Sequence, residues 1–238
     1  FGIGHGVMKR EYLKLQNIDR FEQTEDVARG FALEHAIGLN YNPETQSIDS
    51  PYFLHFGRFA HVTESKTGIF FESLLRGFYQ KKKLTDLLFD LELRAFKNIG
   101  RNLFVTRARW TRIDNNRIPQ QLTLGGENGL RGYGLRNRTG SRRFMLSLED
   151  RIDSDIKLLF FRFGLTAFAD FGNAWESDET VDLTDLKTSV GFGLRMGNAR
   201  FTGEINRLDF AYNLAEKRLQ ISFSIGSYFS AFSRLNFV

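Results

Sequence analysis

The sequence predicts an all-β fold: an antiparallel transmembrane β-barrel of outer-membrane type, with about eleven strands in this chain. Three observations carry that prediction. Apolar and polar residues alternate with a period of two along runs of about ten to fifteen residues, whereas strands of soluble proteins are usually ~5–6 residues long. The polar face carries charge in mid-run, at Glu92, Arg94, Arg107, Arg109, Glu149, Arg162, Asp170 and Arg195, which suits a wet lumen. Aromatic residues gather near the run ends, at Tyr41, Tyr52, Tyr79, Trp110, Trp175, Tyr212 and Phe229, where interfacial girdles lie. A soluble β-sandwich or lipocalin-like barrel also alternates; run length, lumen charge and aromatic ends together favour the membrane barrel.

Composition points the same way. The chain has 238 residues, among them 25 Phe and 22 Gly but only 3 Pro and no Cys. Aromatic residues fit pleated surfaces, and glycine fits bends and close backbone contacts. Without cysteine there is no disulfide framework, thiolate metal site or thiol nucleophile. The net charge of +5 is spread over mixed signs, with basic clusters at 81–83 and 136–143. A nucleic-acid footprint needs a more concentrated stripe, so nucleic acid is not expected as a partner. No apolar run approaches the ~18–20 residues of a membrane-spanning helix, while barrel strands need only ~9–11 alternating residues. The chain opens at Phe1 with neither Met nor a leader, and is expected to be a mature form or a fragment.

Taken in order, the expected strands are 3–15, 30–42, 52–63, 67–80, 87–95, 101–113, 144–150, 161–171, 186–196, 200–213 and 219–229. The clearest are the later ones. In 161–171, Phe161, Phe163, Leu165, Ala167, Ala169 and Phe171 alternate with Arg162, Gly164, Thr166, Phe168 and Asp170. In 144–150, Phe144, Leu146 and Leu148 alternate with Met145, Ser147 and Glu149. In 219–229, Leu219, Ile221, Phe223, Ile225 and Phe229 alternate with Gln220, Ser222, Ser224, Gly226 and Tyr228. Short connections are expected at 64–66, 98–100, 153–156 and 197–199, and long ones at 42–51, 114–140 and 172–185, with a short helical piece at 182–186. Short turns at one end and long loops at the other are the outer-membrane arrangement. Two connections break the rule: 80–83 is short where a long one is due, and 17–29 is long where a short one is due.

The stretch 124–144, LGGENGLRGYGLRNRTGSRRF, is too long and too polar for a hairpin turn. Glycines on either side of an Arg–aromatic pair suggest a loop folded tightly on itself and able to enter a cavity. An arginine inside a barrel is costly unless paired, so it needs carboxylates on the inner wall. The alternation offers two on the inward register of the next two strands, Glu149 and Asp170.

With these residues in order, the chain resembles the outer-membrane assembly-factor superfamily, which includes BamA- and TamA-like proteins and the two-partner secretion transporters. LGGENGLRGY resembles that family's in-folded loop, whose tip is here Leu130, Arg131, Gly132 and Tyr133. FMLSLEDRI carries Glu149, and GLTAFADFGNAW carries Asp170 and resembles the family's apolar-x-Asp-x-Gly-x-x-Trp strand. RLQISFSIGSYF resembles its closing strand, with Gly226, Tyr228 and Phe229 as the signal positions. TEDVARG is a weaker echo of an upstream segment. The likeness covers 122–229 well and the first half loosely.

The resemblance implies a sixteen-stranded barrel preceded by periplasmic POTRA modules. Against it, the chain reads as N-terminally incomplete, with a barrel at 1–229, an in-folded loop at 114–140 and a C-terminal tail at 230–238. It also implies assembly or insertion of outer-membrane proteins, or protein translocation, in the bacterial outer membrane. Arg131 would brace the inner wall while a weak seam yields. The implied partners are outer-membrane lipids, unfolded outer-membrane or secreted proteins, and accessory assembly subunits.

A passive porin-like channel or structural barrel remains open, its lumen charges acting as a selectivity eyelet. No enzyme site is expected: G-x-S-x-G is absent, and no Ser/His/acid pattern surrounds His5, His35, His55 or His61. His55 and His61 would share a strand face ~20 Å apart, too far for one metal. No metal or other cofactor is expected.

Overall fold

The computed structural model describes residues 1–42, 47–198 and 205–232. Eleven strands form one continuous antiparallel sheet in the order β1, β2, β3, β4, β5, β6, β9, β10, β11, β12, β13, and β7 and β8 form a hairpin apart from it. The wall strands are β1 (Gly2–Gln16), β2 (Thr24–Asn42), β3 (Ser47–Val62), β4 (Thr67–Gln80), β5 (Lys83–Ile99), β6 (Asn102–Asp114), β9 (Arg142–Leu158), β10 (Phe161–Trp175), β11 (Lys187–Asn198), β12 (Ile205–Asn213) and β13 (Arg218–Ile225). The loop hairpin is β7 (Leu122–Leu124) with β8 (Arg138–Gly140). Among the described residues no helix is long and apolar enough to cross a membrane. The only helical piece there is a 3-10 turn at Leu183–Asp185, capped by Asp182, whose carboxylate accepts from the Thr184 amide at 2.8 Å.

The sheet is inside-out relative to a soluble protein. On β10 the polar register is buried, with Asp170 at 0% exposure and Thr166 at 2%, while Leu165 points outward at 45%. On β11 and β13 the outward residues Val190, Phe192 and Leu194, and Leu219, Ile221, Phe223 and Ile225, are all exposed. Charged residues on the concave side satisfy one another: Glu92 takes Arg94 and Arg107 at 2.6 Å each, and Asp90 takes Arg109 at 2.9 Å. A convex apolar face over a concave charged one is stable only if lipid covers the outside.

Several expected boundaries move. β2 starts at Thr24, so the connection after β1 spans only 17–23. β9 runs on to Leu158, past the turn expected at 153–156. A bulge lets three residues of β9 oppose Phe163, and Arg162 clamps both Asp153 and Asp155 there. β10 runs on to Trp175, shortening the loop that follows. The short 80–83 connection is a two-residue turn in which Lys81 and Lys82 both have positive φ. Hairpins of that length require this geometry, and it is normally signalled by Asn-Gly rather than by lysines. The expected connections at 42–51 and 197–199 and the start of the 200–213 strand lie partly outside the described residues, as does most of the 230–238 tail.

The closing segment differs from expectation. β13 stops at Ile225, and Gly226 (φ 91°) turns the chain away from the sheet. Gly226, Tyr228 and Phe229 are therefore not strand positions, and Phe229 is buried instead of joining an outer girdle. Trp175 is buried as well, with its ring 6.2 Å from that of Trp110.

Residues 226–232 enter the lumen, where Phe229, Ala231 and Phe232 pack on inward Val27, Ala60, Val62, Phe70, Phe96, Leu103 and Val105. At the same end β2 leaves β3: below Gly30 it pairs with β1 alone. This freed hairpin leans over the lumen and places Leu15 and Ile18 in the same cluster. An apolar patch on the inner wall is thus covered by chain instead of water. The burial removes it from water at roughly 25 cal/mol per Å².

Candidate functional site

The site is built by the 115–141 loop and the inner faces of β9 to β12. The loop is cinched by the β7–β8 ladder and by a bridge between Gly126 and Leu130. Its end is stitched to the wall: the Ile113 amide donates to Ser141 O, and the Ser141 amide to Trp175 O. Leu124, Leu130 and Tyr133 are almost wholly buried and form one cluster with Met145 of β9. These apolar anchors carry the tip inward, while 134–138 stay exposed.

At the tip, Arg131 is 2% exposed. Its Nε and Nη2 donate side-on to Asp170 Oδ2 and Oδ1 at 2.7 and 2.8 Å, and its amide adds a 3.2 Å bond to Oδ2. Its Nη1 donates to Glu149 Oε1 at 2.6 Å. Above and below, the guanidinium is sandwiched by rings, its carbon 3.6 Å from the centroid of Phe168 and 4.0 Å from that of Tyr228. Burial alone would loosen the arginine's proton. Asp170 and then Glu149 outweigh it, so the group holds its proton more firmly than usual. Bidentate geometry, two carboxylates and two aromatic faces are the environment to which a planar guanidinium is suited and an ammonium is not.

The neighbours of Arg131 lock the tip against two further strands. Gly132 (φ 82°) lies so close to the wall that a Cβ would sit 3.3 Å from Ser189 of β11 and from Ala211 of β12. The positive φ strains any side chain there, and the close wall leaves a Cβ little room, so both favour glycine. Tyr133 donates its hydroxyl to Thr188 O at 3.3 Å.

Of the residues singled out from the sequence, Leu130, Arg131, Gly132, Tyr133, Glu149 and Asp170 are brought together here. Gly226 is not, and Phe229 lies in the apolar cluster. Tyr228 joins the site in an unexpected role, stacking on Arg131 and donating to Gly126 O at 3.0 Å. Sequence reading passed over Phe168, although the same register that marked Asp170 places it one inward step away.

Of the charges behind the site, the sequence marked Arg195 as a lumen charge but not Asp19, Arg151, Arg207 or Asp209. Glu149 Oε2 accepts from Arg151 at 2.8 Å, and Arg151 reaches Asp19 at 2.9 Å and Phe229 O at 2.7 Å. Arg207 pairs with Glu127 of the loop and shares Asp209 with Arg195. Asp19 had no sequence signal, because it belongs to a turn whose path depends on Glu25 accepting three consecutive amides, those of Ile18, Asp19 and Arg20. His55 pairs across strands with His35, their Nδ1 atoms 3.3 Å apart, and not with His61.

A lipid-facing apolar wall, a charged lumen and a long loop latched inside it together define an outer-membrane β-barrel with an internal loop. Residues 77–229 match the Omp85 superfamily domain, and the chain belongs to that superfamily. Its members are outer-membrane β-barrels that insert or translocate proteins, acting as transporters or assembly factors. No curated protein matches the chain.

Proposed function

We propose that this barrel acts in the bacterial outer membrane as a BamA/TamA-like assembly or translocation device, with the Leu130-Arg131-Gly132-Tyr133 tip as its internal brace. Supporting this reading above all is the buried Arg131–Asp170–Glu149 arrangement, which fastens a long loop to β9 and β10 of an Omp85 chain while Gly132 packs close to β11 and β12. A loop clamped so firmly stiffens β9 to β12 and leaves β13, only eight residues long, as the pliant neighbour. A strand edge carries unpaired donors and acceptors, and in lipid these seek a partner. An incoming substrate strand can supply one by β-augmentation. Tyr228, just past β13 and bonded to the loop at Gly126, links brace and seam. The partners are lipids, unfolded outer-membrane or secreted proteins, and accessory assembly subunits.

The test reconstitutes the full-length protein carrying this chain into liposomes and follows folding of an unfolded outer-membrane substrate. Acceleration by the wild type, reduced in a folded Arg131→Ala variant, is the expected result. Planar-bilayer conductance with no effect on substrate folding would instead establish a passive channel and overturn the reading.

A further inference from the structure

The histidines take no part in the Arg131 site, yet the sheet sets three of them in a single row. His5 of β1 stands opposite His35 of β2, and His35 stands opposite His55 of β3. Directly opposed residues point to the same face, so the three side chains share one side of the wall. That side is the outward one: His35 alternates with the exposed Leu33 and Ile37, while Ala32 on the other register is buried. His5 and His35 are exposed and His55 is half-buried, so all three rings can be reached from outside. The nearest positions on the same face are apolar, among them Ile3, Val7, Phe53 and Leu75. An ionisable group on a membrane-spanning surface is costly and marks a functional site.

Within the row, His35 and His55 are already drawn together. Their Nδ1 atoms are 3.3 Å apart, and their rings tilt by 39° with centroids 4.8 Å apart. That separation is longer than the ~2.7–3.2 Å of a well-made N–H hydrogen bond. It is the separation that a shared ion imposes: two nitrogens each ~2.0–2.1 Å from one tetrahedral metal stand about 3.3–3.4 Å apart. The adjacent carboxylate, Glu34, lies on the opposite register and points to the other face. The donors are therefore imidazoles alone, the ligand type suited to zinc, copper and nickel and not to magnesium or calcium. Among the described residues no three potential ligands close on one point as they stand. His5, opposite His35, is the third that the register offers through a change of rotamer.

We propose that the outer face of β1 to β3 binds a divalent transition-metal ion of the zinc or copper class, through Nδ1 of His35 and of His55, with His5 as a third ligand. The ion's open positions take water or a small anion such as hydroxide, which offsets its charge on an apolar surface. Bound there, it crosslinks neighbouring strands from outside the barrel. The inference does not depend on the brace or seam reading.

The test uses the full-length protein carrying this chain, made without a histidine tag, freed of metal by chelation and held in maltoside micelles. Cu²⁺ is added and followed by electron paramagnetic resonance. The wild type should bind it with nitrogen splittings from two imidazoles, or from three when His5 joins. His35→Ala and His55→Ala should each weaken binding by at least roughly tenfold, the least that loss of even a supporting group costs a metal site, and should abolish that splitting pattern. His61→Ala, on the same strand face as His55 but ~20 Å away, should bind as the wild type does. Heat-modifiable mobility reports whether each variant folds. A second arm uses Zn²⁺, which should raise the temperature of heat-modified mobility in the wild type and not in His35→Ala, because an ion held only by the folded state stabilises it. Copper bound equally by wild type and His35→Ala, splittings unchanged in His55→Ala, or a zinc effect shared by wild type and His35→Ala would each overturn the inference.

Discussion

Arg131 carries more of this site's energy than any other single residue. It has four distinct partners, two carboxylates and two rings, and its own amide adds a further bond to Asp170. Replacing a whole buried ion pair by apolar residues can be neutral, but removing one member is not. Arg131→Ala leaves Asp170, fully buried, without its two side-chain hydrogen bonds from the guanidinium. It should cost ~3–5 kcal/mol, read as a lower urea midpoint and a lower temperature of heat-modified mobility in detergent. Arg131→Lys should fall between, because an ammonium keeps the charge but cannot make the side-on pair or stack. Equal midpoints for wild type and Arg131→Ala would sink the brace. At this scale the sequence was informative: period-two counting from Phe144 and from Phe161 put Glu149 and Asp170 on the inner face, and a buried arginine needs such partners. Tyr228 was not legible in its true role, because the same counting assumed a strand that ends three residues earlier.

The loop is the element that turns a wall of strands into a site. Its hairpin, apolar anchors and tip act as one unit, and Gly132 is where the unit touches β11 and β12. Gly132→Ala adds a Cβ in a left-handed conformation and against two small side chains, a strain of about 1–3 kcal/mol. The loop should undock more often. Trypsin reports this directly, since Arg136 and Arg138 lie on the exposed part of the loop. The variant should be nicked there faster than wild type under conditions that leave the strands intact; an unchanged rate would show that docking tolerates the extra methyl. The opposite end has an element of its own, the 17–23 connection with residues 226–232. Asp19 ties it together by accepting from Arg151 at 2.9 Å and from the Ala231 amide at 2.8 Å. Through Arg151 and Glu149 it is continuous with Arg131.

For the whole molecule, the solvent is the deciding variable. The outward rows of β11 and β13 are apolar and exposed, so lipid covers them, while charges on the concave side are paired. A charge on the outer face near mid-strand should therefore be penalised far more than one inside. Phe192→Arg should lower the free energy of folding into liposomes by ~2–4 kcal/mol if it lies near the bilayer midplane. Gln220→Arg, on the half-buried inner register of β13, should cost much less. Comparable losses for the two would contradict the inside-out assignment.

Periodicity by itself determined the number of wall strands, the sense of each clear face and the inward register of Glu149 and Asp170, because side-chain direction in a strand follows from the pleat alone. It also picked out the loop, since glycines around an Arg–aromatic pair have little reason to occur in a simple turn. Only the tertiary structure decided where β13 stops, that residues 226–232 turn into the lumen, and that Tyr228 and Phe168 close over the guanidinium. It likewise decided that β2 parts from β3 at Gly30 and that Asp19 reaches Arg151. Those outcomes depend on which distant surfaces need covering, and such a demand is felt only once the wall has curved and an inner apolar patch and a buried charge face each other across the lumen.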